Sequence, residues 1–371
     1  TRRTPVLDGQ RVAIVLLSAI GDIVHALPLV SSLRAAAPDL SLEWITQPVP
    51  GEIAGGHPGV DRLWTLDRAR GWRAFRDLRR ALGGRRFDVV LDLQVYAKAS
   101  MVTAMLESPR KIGFDRARAR ELNWLVTNER IAAGPPRHTC EQYLEFADHL
   151  GIPRRYEWPL PLTAEERAAQ TAFYGRRRGP LAALVVGTSR SAKEWPAERW
   201  ARLAESLADM GYEVCIVGSD RPSERARALE VVGLSRVPIL DERRDDLRRL
   251  LWLLDGAALV VSPDTGPYHM AVALGVPAVG LYGLTDPARV GPGRRFLDLV
   301  VDAFHDPGER WHPPRAGYRE GRMERIPVAR VLEAVELARA RYRTAGGPAP
   351  PRETMSAGAP PEPASPGEPS A

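Results

Sequence analysis

The stretch VVSPDTGPYHMAVALGVPAVGLYG, residues 260–283, decides the fold of this chain. An apolar run ending at Val261 predicts a buried parallel strand, and a tight Asp-Thr-Gly turn leads from it into a short helix that ends at Gly275. A second apolar strand is predicted at 276–281. Ligands of open α/β sheets bind in loops at the carboxyl ends of strands, so this turn predicts a site for hydroxyl and phosphate groups.

The same alternation of strands and helices occurs on both sides of a proline-bearing, non-periodic segment at 151–163. Apolar strands are predicted at 11–17, 40–45, 62–66 and 87–93 before this segment, and at 181–186 and 213–217 after it. Amphipathic helical patterns separate these strands. The alternation predicts an α/β protein of two Rossmann-like, doubly wound domains that face a central cleft.

The same patterns divide the chain into segments. We predict a lead-in at 1–10, an N-terminal domain at 11–160, a C-terminal domain at 161–326, a C-terminal helix at 327–343 and a tail at 344–371. The tail consists largely of Pro, Gly, Ala and Ser, a composition that predicts disorder.

Composition narrows the class of protein. The 371 residues are 44% hydrophobic and carry a net charge of +6, and they include two cysteines. So few cysteines favour neither a disulfide framework nor a zinc site, and no apolar run reaches the roughly 18 residues that span a bilayer. We therefore expect a cytoplasmic protein. Its basic charge suits an anionic membrane or a phosphorylated substrate, whereas no basic–aromatic module predicts a nucleic acid as partner.

Asp22 follows the first predicted strand and opens the first helix. An aspartate at this place is typical of a helix N-cap. Alternatively, a carboxylate at the end of this strand faces the cleft and acts as a general base. His25, one turn later, is either a further cleft residue or a structural histidine.

Thr188, Ser189 and Lys193 follow the first strand of the second domain. Two hydroxyls and a compact cation suit a phosphate, although an exposed polar loop has the same composition. Lysine occurs three times among the 52 basic residues, which favours a position where a point charge is needed.

Asp264, Thr265, Gly266 and His269 belong to the turn quoted above. Asp-Thr-Gly also marks pepsin-like proteases, but those are all-β chains, so the strand–turn–helix context excludes them. The helix that begins near Thr265 directs its first amide groups at the cleft, which suits a diphosphate. His269 either donates to a ligand or packs in the interior.

Six residues of the first domain are candidates for the acceptor side of the cleft, and His25 is the first of them. Asp92 and Gln94 end a strand, and Lys98 begins the helix beyond it. Capping of the strand end is the stronger explanation for Asp92 and Gln94. Arg116 and Arg120 add positive charge to the same domain.

The segment 68–86 predicts a basic amphipathic helix with Trp72, Phe75, Leu78 and Leu82 on its apolar side. One interpretation is a helix that packs on the core and exposes its arginines to solvent. The other is a surface for an anionic lipid or a phosphosugar.

Three motifs together resemble a known family. They are SAIGDIVHALP at 18–28, KEWP at 193–196 and SPDTGPYHMAVALGVP at 262–277. In this combination they resemble the bacterial family 9 glycosyltransferases, the ADP-heptose:lipopolysaccharide heptosyltransferases of the GT-B fold. The similarity covers about residues 11–343, and the first motif is most similar to the heptosyltransferase I group. Pro267-Tyr268 departs from the Leu-Ser or similar pair that is usual in the family.

The resemblance implies an inverting transfer of heptose from ADP-heptose, without a metal or other cofactor, to a lipid-linked Kdo–lipid A acceptor. It implies that Asp22 is the general base and that Thr188, Ser189 and Lys193 bind the donor diphosphate. The loop containing Asp264, Thr265, Gly266 and His269 is then the donor-binding loop. The implied enzyme is a monomer, bound peripherally to the inner face of the cytoplasmic membrane.

Other functions fit the same sequence. A GT-B enzyme with another donor or acceptor is one, and a nucleotide-sugar epimerase of the same fold, which would consume the donor without an acceptor, is a second. A non-catalytic sugar-nucleotide-binding protein is a third, although the presence of Asp22 speaks against it.

Overall fold

A computed structural model describes residues 7–342 of the chain, so the predicted tail at 344–371 and most of the lead-in lie outside the described residues. The first half of the chain forms one six-stranded sheet, made of β1 (Arg11–Val15), β2 (Ser41–Thr46), β3 (Arg62–Thr65), β4 (Val89–Asp92), β5 (Arg110–Gly113) and β6 (Glu129–Arg130). The second half forms another, made of β7 (Leu181–Leu184), β8 (Glu213–Ile216), β9 (Ile239–Asp241), β10 (Leu259–Pro263), β11 (Ala278–Tyr282) and β12 (Val300–Asp302).

Helices cover both faces of these sheets. In the first half they are α1 (Ile20–Ala36), α2 (Pro48–Ala54), α3 (Trp72–Leu82), α4 (Ala97–Met105) and α5 (Thr139–His149). In the second half they are α6 (Ala164–Tyr174), α7 (Ala197–Asp209), α8 (Pro222–Leu234), α9 (Leu247–Gly256), α10 (Gly266–Leu274), α11 (Pro287–Val290) and α12 (Val328–Arg341). Residues 150–163 carry no helix or strand.

The two sheets have the same topology. The strand order is β3-β2-β1-β4-β5-β6 in the first sheet and β12-β11-β10-β7-β8-β9 in the second, and every strand pair is parallel. Both orders reverse at the first strand of the half, as in doubly wound nucleotide-binding domains. The prediction of two doubly wound α/β units is confirmed.

The strand β1 shows why these sheets are buried on both faces. Val12 and Ile14 pack into a core that α1 and α5 cover. Ala13 and Val15 point to the opposite face, into a separate cluster with Leu78 of α3. A strand that is apolar on both faces forms only where helices cover the sheet from two sides, which explains the continuous apolar runs in the sequence.

Two features of the helices differ from the sequence expectation or refine it. Trp72, predicted on the apolar side of α3, is 77% exposed, whereas Ala74, Leu78 and Leu82 form the buried face. Tyr268, part of the unusual pair in the quoted stretch, is fully buried beside Tyr282. That departure from the family is therefore accommodated in the core.

Two further observations concern the described residues as a whole. No helix within residues 7–342 is long and apolar enough to cross a membrane. Cys140 and Cys215 are both buried as free thiols.

Candidate active site

Four strand ends hold the predicted site residues. β1 and β4 are neighbours where the first sheet reverses its order, and β7 and β10 are neighbours at the equivalent point of the second. Loops at such a reversal form the ligand crevice of a doubly wound sheet. The predicted residues follow these strands: Asp22 after β1, Asp92, Gln94 and Lys98 at or after β4, Thr188, Ser189 and Lys193 after β7, and Asp264, Thr265, Gly266 and His269 after β10.

The two halves meet at the N-termini of α1 and α10, which pack against each other. A Cβ on Gly21 would lie 2.7 Å from Cδ2 of His269, and a Cβ on Gly266 would lie 2.9 Å from Cβ of Ile20. Both glycines are therefore required for this contact. The space in front of Gly266 is occupied by Ile20, so this glycine serves the contact between the two halves.

Asp22 is the third residue of α1, and the N-cap is Ala19. The Ala19 amide donates to Oδ2 of Asp22 at 2.9 Å, which is the reciprocal half of a capping box, and the Tyr143 hydroxyl lies 3.5 Å from Oδ1. Burial raises the pKa of Asp22, opposed by the Ala19 hydrogen bond and by the charges of His269 and Arg289. Asp22 is thus not the N-cap, and a raised pKa suits a general base that works near neutral pH.

Asp264 is the centre of a hydrogen-bonded cluster in the second half. Nζ of Lys193 lies 2.6 Å from its Oδ2 and 2.7 Å from its carbonyl oxygen, and Oγ1 of Thr285 donates to Oδ2 at 2.8 Å. Nε2 of His269 donates to Oδ1 at 2.9 Å. Burial alone would raise the pKa of Asp264, but the hydrogen bond from His269 and the charge of Lys193 hold it well below its usual range.

The remaining donor-side residues surround this cluster. Thr188 is buried, and its hydroxyl donates to the carbonyl of Arg190, whereas Ser189 is exposed. Thr265 is the N-cap of α10, and its hydroxyl lies 2.9 Å from that of Ser262. The Thr265 side chain makes no capping hydrogen bond to α10, and Pro267 has no N–H, so the Gly266 and Tyr268 amides are the first donors of this helix.

Asp92 lies in the interior of the first domain rather than on the cleft surface. Its Oδ2 accepts hydrogen bonds from Thr103 at 2.8 Å and from Asn123 at 2.9 Å, and the residue is 0% exposed. Burial raises the pKa of Asp92 to about 6, opposed by these two hydrogen bonds. The geometry contradicts the expectation that Asp92 contacts an acceptor.

Gln94 has a structural contact close to the general-base candidate. Its Oε1 accepts from the Leu17 amide at 2.9 Å, and its Nε2 donates to the Ser18 carbonyl at 3.0 Å. The side chain therefore fixes the backbone that leads from β1 to Asp22.

Lys98, at the start of α4, and Arg116 and Arg120, on the loop that follows β5, are exposed. The Ala97 amide donates to Oε2 of Glu121 at 2.7 Å, so the start of α4 is joined to this loop. These three cations are brought to one edge of the first sheet, separate from the Asp264 cluster.

His25 belongs to a cluster of three histidines between the halves. Its ring centroid lies 5.1 Å from that of His138, the N-cap of α5, and 4.5 Å from that of His269. Burial, and then the charges of the other two histidines, lower the pKa of His25 well below its usual value. His25 is therefore neutral at neutral pH.

Sequence reasoning missed several members of the site. His138, Tyr143 and Thr285 reach the cleft only through tertiary packing. Thr285 follows β11 directly, so the strand-end rule that located Asp264 would also have found it. Within residues 7–342, no group of three or more His, Cys, Asp or Glu side chains is arranged to hold a metal ion.

Two doubly wound parallel sheets whose strand ends face a common cleft form the GT-B fold. Residues 75–301 match the sequence family described as glycosyltransferase family 9 (heptosyltransferase). The chain belongs to glycosyltransferase family 9.

Curated relatives agree with this assignment. The lipopolysaccharide core heptosyltransferase OpsX of Haemophilus influenzae is 28% identical over 303 residues, which cover 81% of this chain and 86% of the relative. Lipopolysaccharide heptosyltransferase 1 of Escherichia coli K12 is 31% identical over 301 residues, which cover 76% of this chain and 90% of the relative.

Solved structures share the fold. The E. coli heptosyltransferase WaaC with ADP-2-deoxy-2-fluoro heptose is similar, with a TM-score of 0.66, 26% identity, and coverage of 88% of this chain and 99% of that one. A family 9 glycosyltransferase from Veillonella parvula has a TM-score of 0.76 at 21% identity, with coverage of 89% and 97%.

Proposed function

We propose that the protein is an inverting, metal-independent heptosyltransferase that transfers heptose from ADP-heptose to a Kdo-containing acceptor of the lipopolysaccharide inner core. The observation that carries this proposal is the contact of Gly21 with His269, which holds Asp22 and the Asp264 loop in one site. The names of the relatives, and the ADP-heptose analogue bound to WaaC, support the donor and the acceptor class.

Asp22 acts as the general base. An inverting transfer needs a group that removes the proton from the acceptor hydroxyl as its oxygen attacks the anomeric carbon. The Ala19 amide fixes one carboxylate oxygen of Asp22, and the other, 3.5 Å from the Tyr143 hydroxyl, is the oxygen that takes the proton. Its raised pKa makes this carboxylate a stronger base than an exposed aspartate.

The second half stabilises the leaving diphosphate. Lys193 uses two of its three N–H groups on Asp264 and keeps one for a phosphate oxygen. The uncapped N-terminus of α10 adds oriented amides and a partial positive charge. These groups supply positive charge where negative charge develops in the transition state. Asp264, with one acceptor position left, binds a sugar hydroxyl.

The lipid part of the proposed acceptor places the enzyme at a membrane. We propose that it works as a monomer in the cytoplasm and associates peripherally with the inner face of the cytoplasmic membrane. Lys98, Arg116 and Arg120 bind the anionic acceptor. The exposed arginines of α3 support contact with anionic lipid headgroups.

Two substitutions test whether Asp22 acts in catalysis and Lys193 in donor binding. Asp22→Asn is expected to lower kcat by about 10²- to 10⁴-fold while ADP affinity stays within twofold, because the amide cannot accept the proton. Lys193→Ala is expected to weaken ADP binding by about tenfold or more, because a charged hydrogen bond is lost. Calorimetric titration with ADP and a transfer assay with ADP-heptose and Kdo–lipid A measure both effects.

Normal turnover in Asp22→Asn would refute the role of the base, and unchanged ADP affinity in Lys193→Ala would refute the phosphate contact.

Incubation of the wild-type enzyme with ADP-heptose alone separates transfer from epimerisation. A new sugar nucleotide formed without an acceptor would identify an epimerase.

A further inference from the structure

Arg289 lies on the short helix α11, directly after the loop that carries Thr285. Its backbone is tied to the other half of the molecule, because Oγ1 of Thr139 donates to the Arg289 carbonyl at 3.1 Å. Two residues later, Nε2 of His138 donates to the Gly291 carbonyl at 3.0 Å. The start of α5 therefore holds Arg289 at the junction of the two halves.

The guanidinium group of Arg289 has no protein partner within residues 7–342. The residue is half-buried, and its Nε is buried without a hydrogen bond. Several other half-buried or buried arginines of this protein pair with carboxylates, among them Arg118, Arg154 and Arg243. A buried cationic donor without an acceptor is costly, so its retention here indicates an anion that binds to it.

The neighbourhood of Arg289 is the active-site cleft. Its positive charge acts on Asp22, on His25 and on His138, and in each case lowers the pKa. All three groups belong to the first half, whereas Arg289 belongs to the second. The Arg289 charge therefore acts across the junction of the two halves on the general-base candidate and on two histidines beside it.

We propose that Arg289 is a substrate-binding residue that holds an oxyanion through the planar fork of its guanidinium group. The anion is a phosphate of the donor or the carboxylate of a Kdo acceptor, since both are oxyanions that this cleft must receive. This assignment rests on the function proposed above and adds a contact to it. Lys193 spends two of its three N–H groups on Asp264, so Arg289 adds to the cleft a second cationic donor, free within residues 7–342.

The test compares Arg289→Gln, Arg289→Lys and the matched control Arg310→Gln, an exposed arginine of the same half. Binding of ADP and of free Kdo is measured by calorimetry for each variant. Arg289→Gln is expected to weaken binding of one of the two probes by about 10- to 100-fold. Arg289→Lys is expected to recover part of that loss, because it keeps the charge and loses the fork. The control binds both probes as the wild type does.

The probe that loses affinity identifies the source of the anion, ADP for the donor or Kdo for the acceptor. Unchanged affinity for both in Arg289→Gln would overturn the proposal. Equal loss of affinity in the Gln and Lys variants, with a lower melting temperature in both, would also overturn it in favour of a structural role. Because binding is measured directly, the result stands even if the wild-type enzyme fails to transfer heptose.

Discussion

The Asp92 carboxylate stabilises the N-terminal domain from inside. Thr103 lies 11 residues and Asn123 lies 31 residues further along the chain, and both donate to the same oxygen. Since the carboxylate is fully buried, its contribution depends on these two donors and on its own protonation.

Asp92→Ala is expected to lower the free energy of unfolding by about 1–3 kcal/mol, because Thr103 and Asn123 lose their acceptor. The pKa of Asp92, raised to about 6, adds a pH dependence. A raised pKa in the folded state contributes stability that is complete below about pH 4 and is lost as the pH rises through 6. Asp92→Ala is therefore expected to lose more unfolding free energy at pH 5 than at pH 8. Urea unfolding of the variant and the wild type at both pH values measures this difference.

The same variant separates the structural role of Asp92 from the one predicted from sequence. Its KM for the acceptor is expected to stay unchanged, measured at a temperature where the variant is folded. A raised KM for the acceptor with unchanged stability would restore the prediction of an acceptor contact.

Single residues also show how far the sequence predicts the site. Asp22 and Asp92 both stand at the carboxyl ends of neighbouring strands, and the strand-end rule locates both. This rule does not show that Asp92 is buried and Asp22 faces the cleft, because the residues that bind Asp92, Thr103 and Asn123, lie further along the chain. Lys193 was predicted to meet a phosphate, and its contact with Asp264, 71 residues away, was not predicted.

At the scale of elements, α3 is a helix with a cationic outer face. Ala74, Leu78 and Leu82 are buried against the first sheet, while Arg73 and Arg76 are exposed one turn apart. Trp72, at the N-terminus, exposes most of its ring. An amphipathic aromatic ring beside exposed arginines is the composition of a helix that lies at a membrane surface.

The double variant Arg73→Gln/Arg76→Gln is expected to weaken binding to vesicles of mixed neutral and anionic lipids by about 30-fold, since each arginine near such a surface contributes about 1 kcal/mol. Sedimentation of the protein with vesicles at two salt concentrations measures this. Wild-type binding should fall as salt rises, because exposed charges are screened.

The control for this experiment carries Arg202→Gln and Arg330→Gln, two exposed arginines of the second half. It should bind the vesicles as the wild type does. Equal weakening in both double variants, or binding that does not respond to salt, would show that α3 is only a packing helix with a solvated face.

The elements that sequence patterns missed share a physical cause. β6 and β9 are sheet edges of two and three residues, and β5 contains two basic residues that reduce its apolar signal. The central strands are apolar on both faces and were predicted in both halves. Short edge strands gain their hydrogen bonds from a neighbour that the local sequence does not contain.

At the scale of the whole molecule, three histidines join the two halves. His25 comes from α1, His138 from the start of α5 and His269 from α10. Burial lowers the pKa of His25 and of His138. Asp264 and Arg289 also face this cluster and act on His25 in opposite directions.

Acidification is expected to destabilise the folded molecule through these histidines. The unfolded chain binds protons below about pH 6.5, whereas a buried neutral histidine does not. The stability that the neutral histidines contribute is therefore complete above about pH 6.5 and is lost as the pH falls below it. Melting temperatures between pH 8 and pH 5.5 should fall less steeply in His25→Gln than in the wild type.

The exposed His312 offers a control, since His312→Gln should follow the pH dependence of the wild type. Parallel curves for the wild type and His25→Gln would contradict the assignment of His25 as a neutral buried group.

The hydrogen bonds from the start of α5 to the second half involve the backbone at positions 289 and 291 and leave the side chain at 289 available for a ligand. Thr139 and His138 donate to carbonyl oxygens, which every residue type has. These hydrogen bonds therefore do not depend on the side chain at position 289. Position 291 has no such freedom, because a Cβ on Gly291 would lie 2.3 Å from the Pro287 carbonyl. A change of side chain at 289 would therefore leave this connection between the halves intact and alter only the charge that the position offers to the cleft.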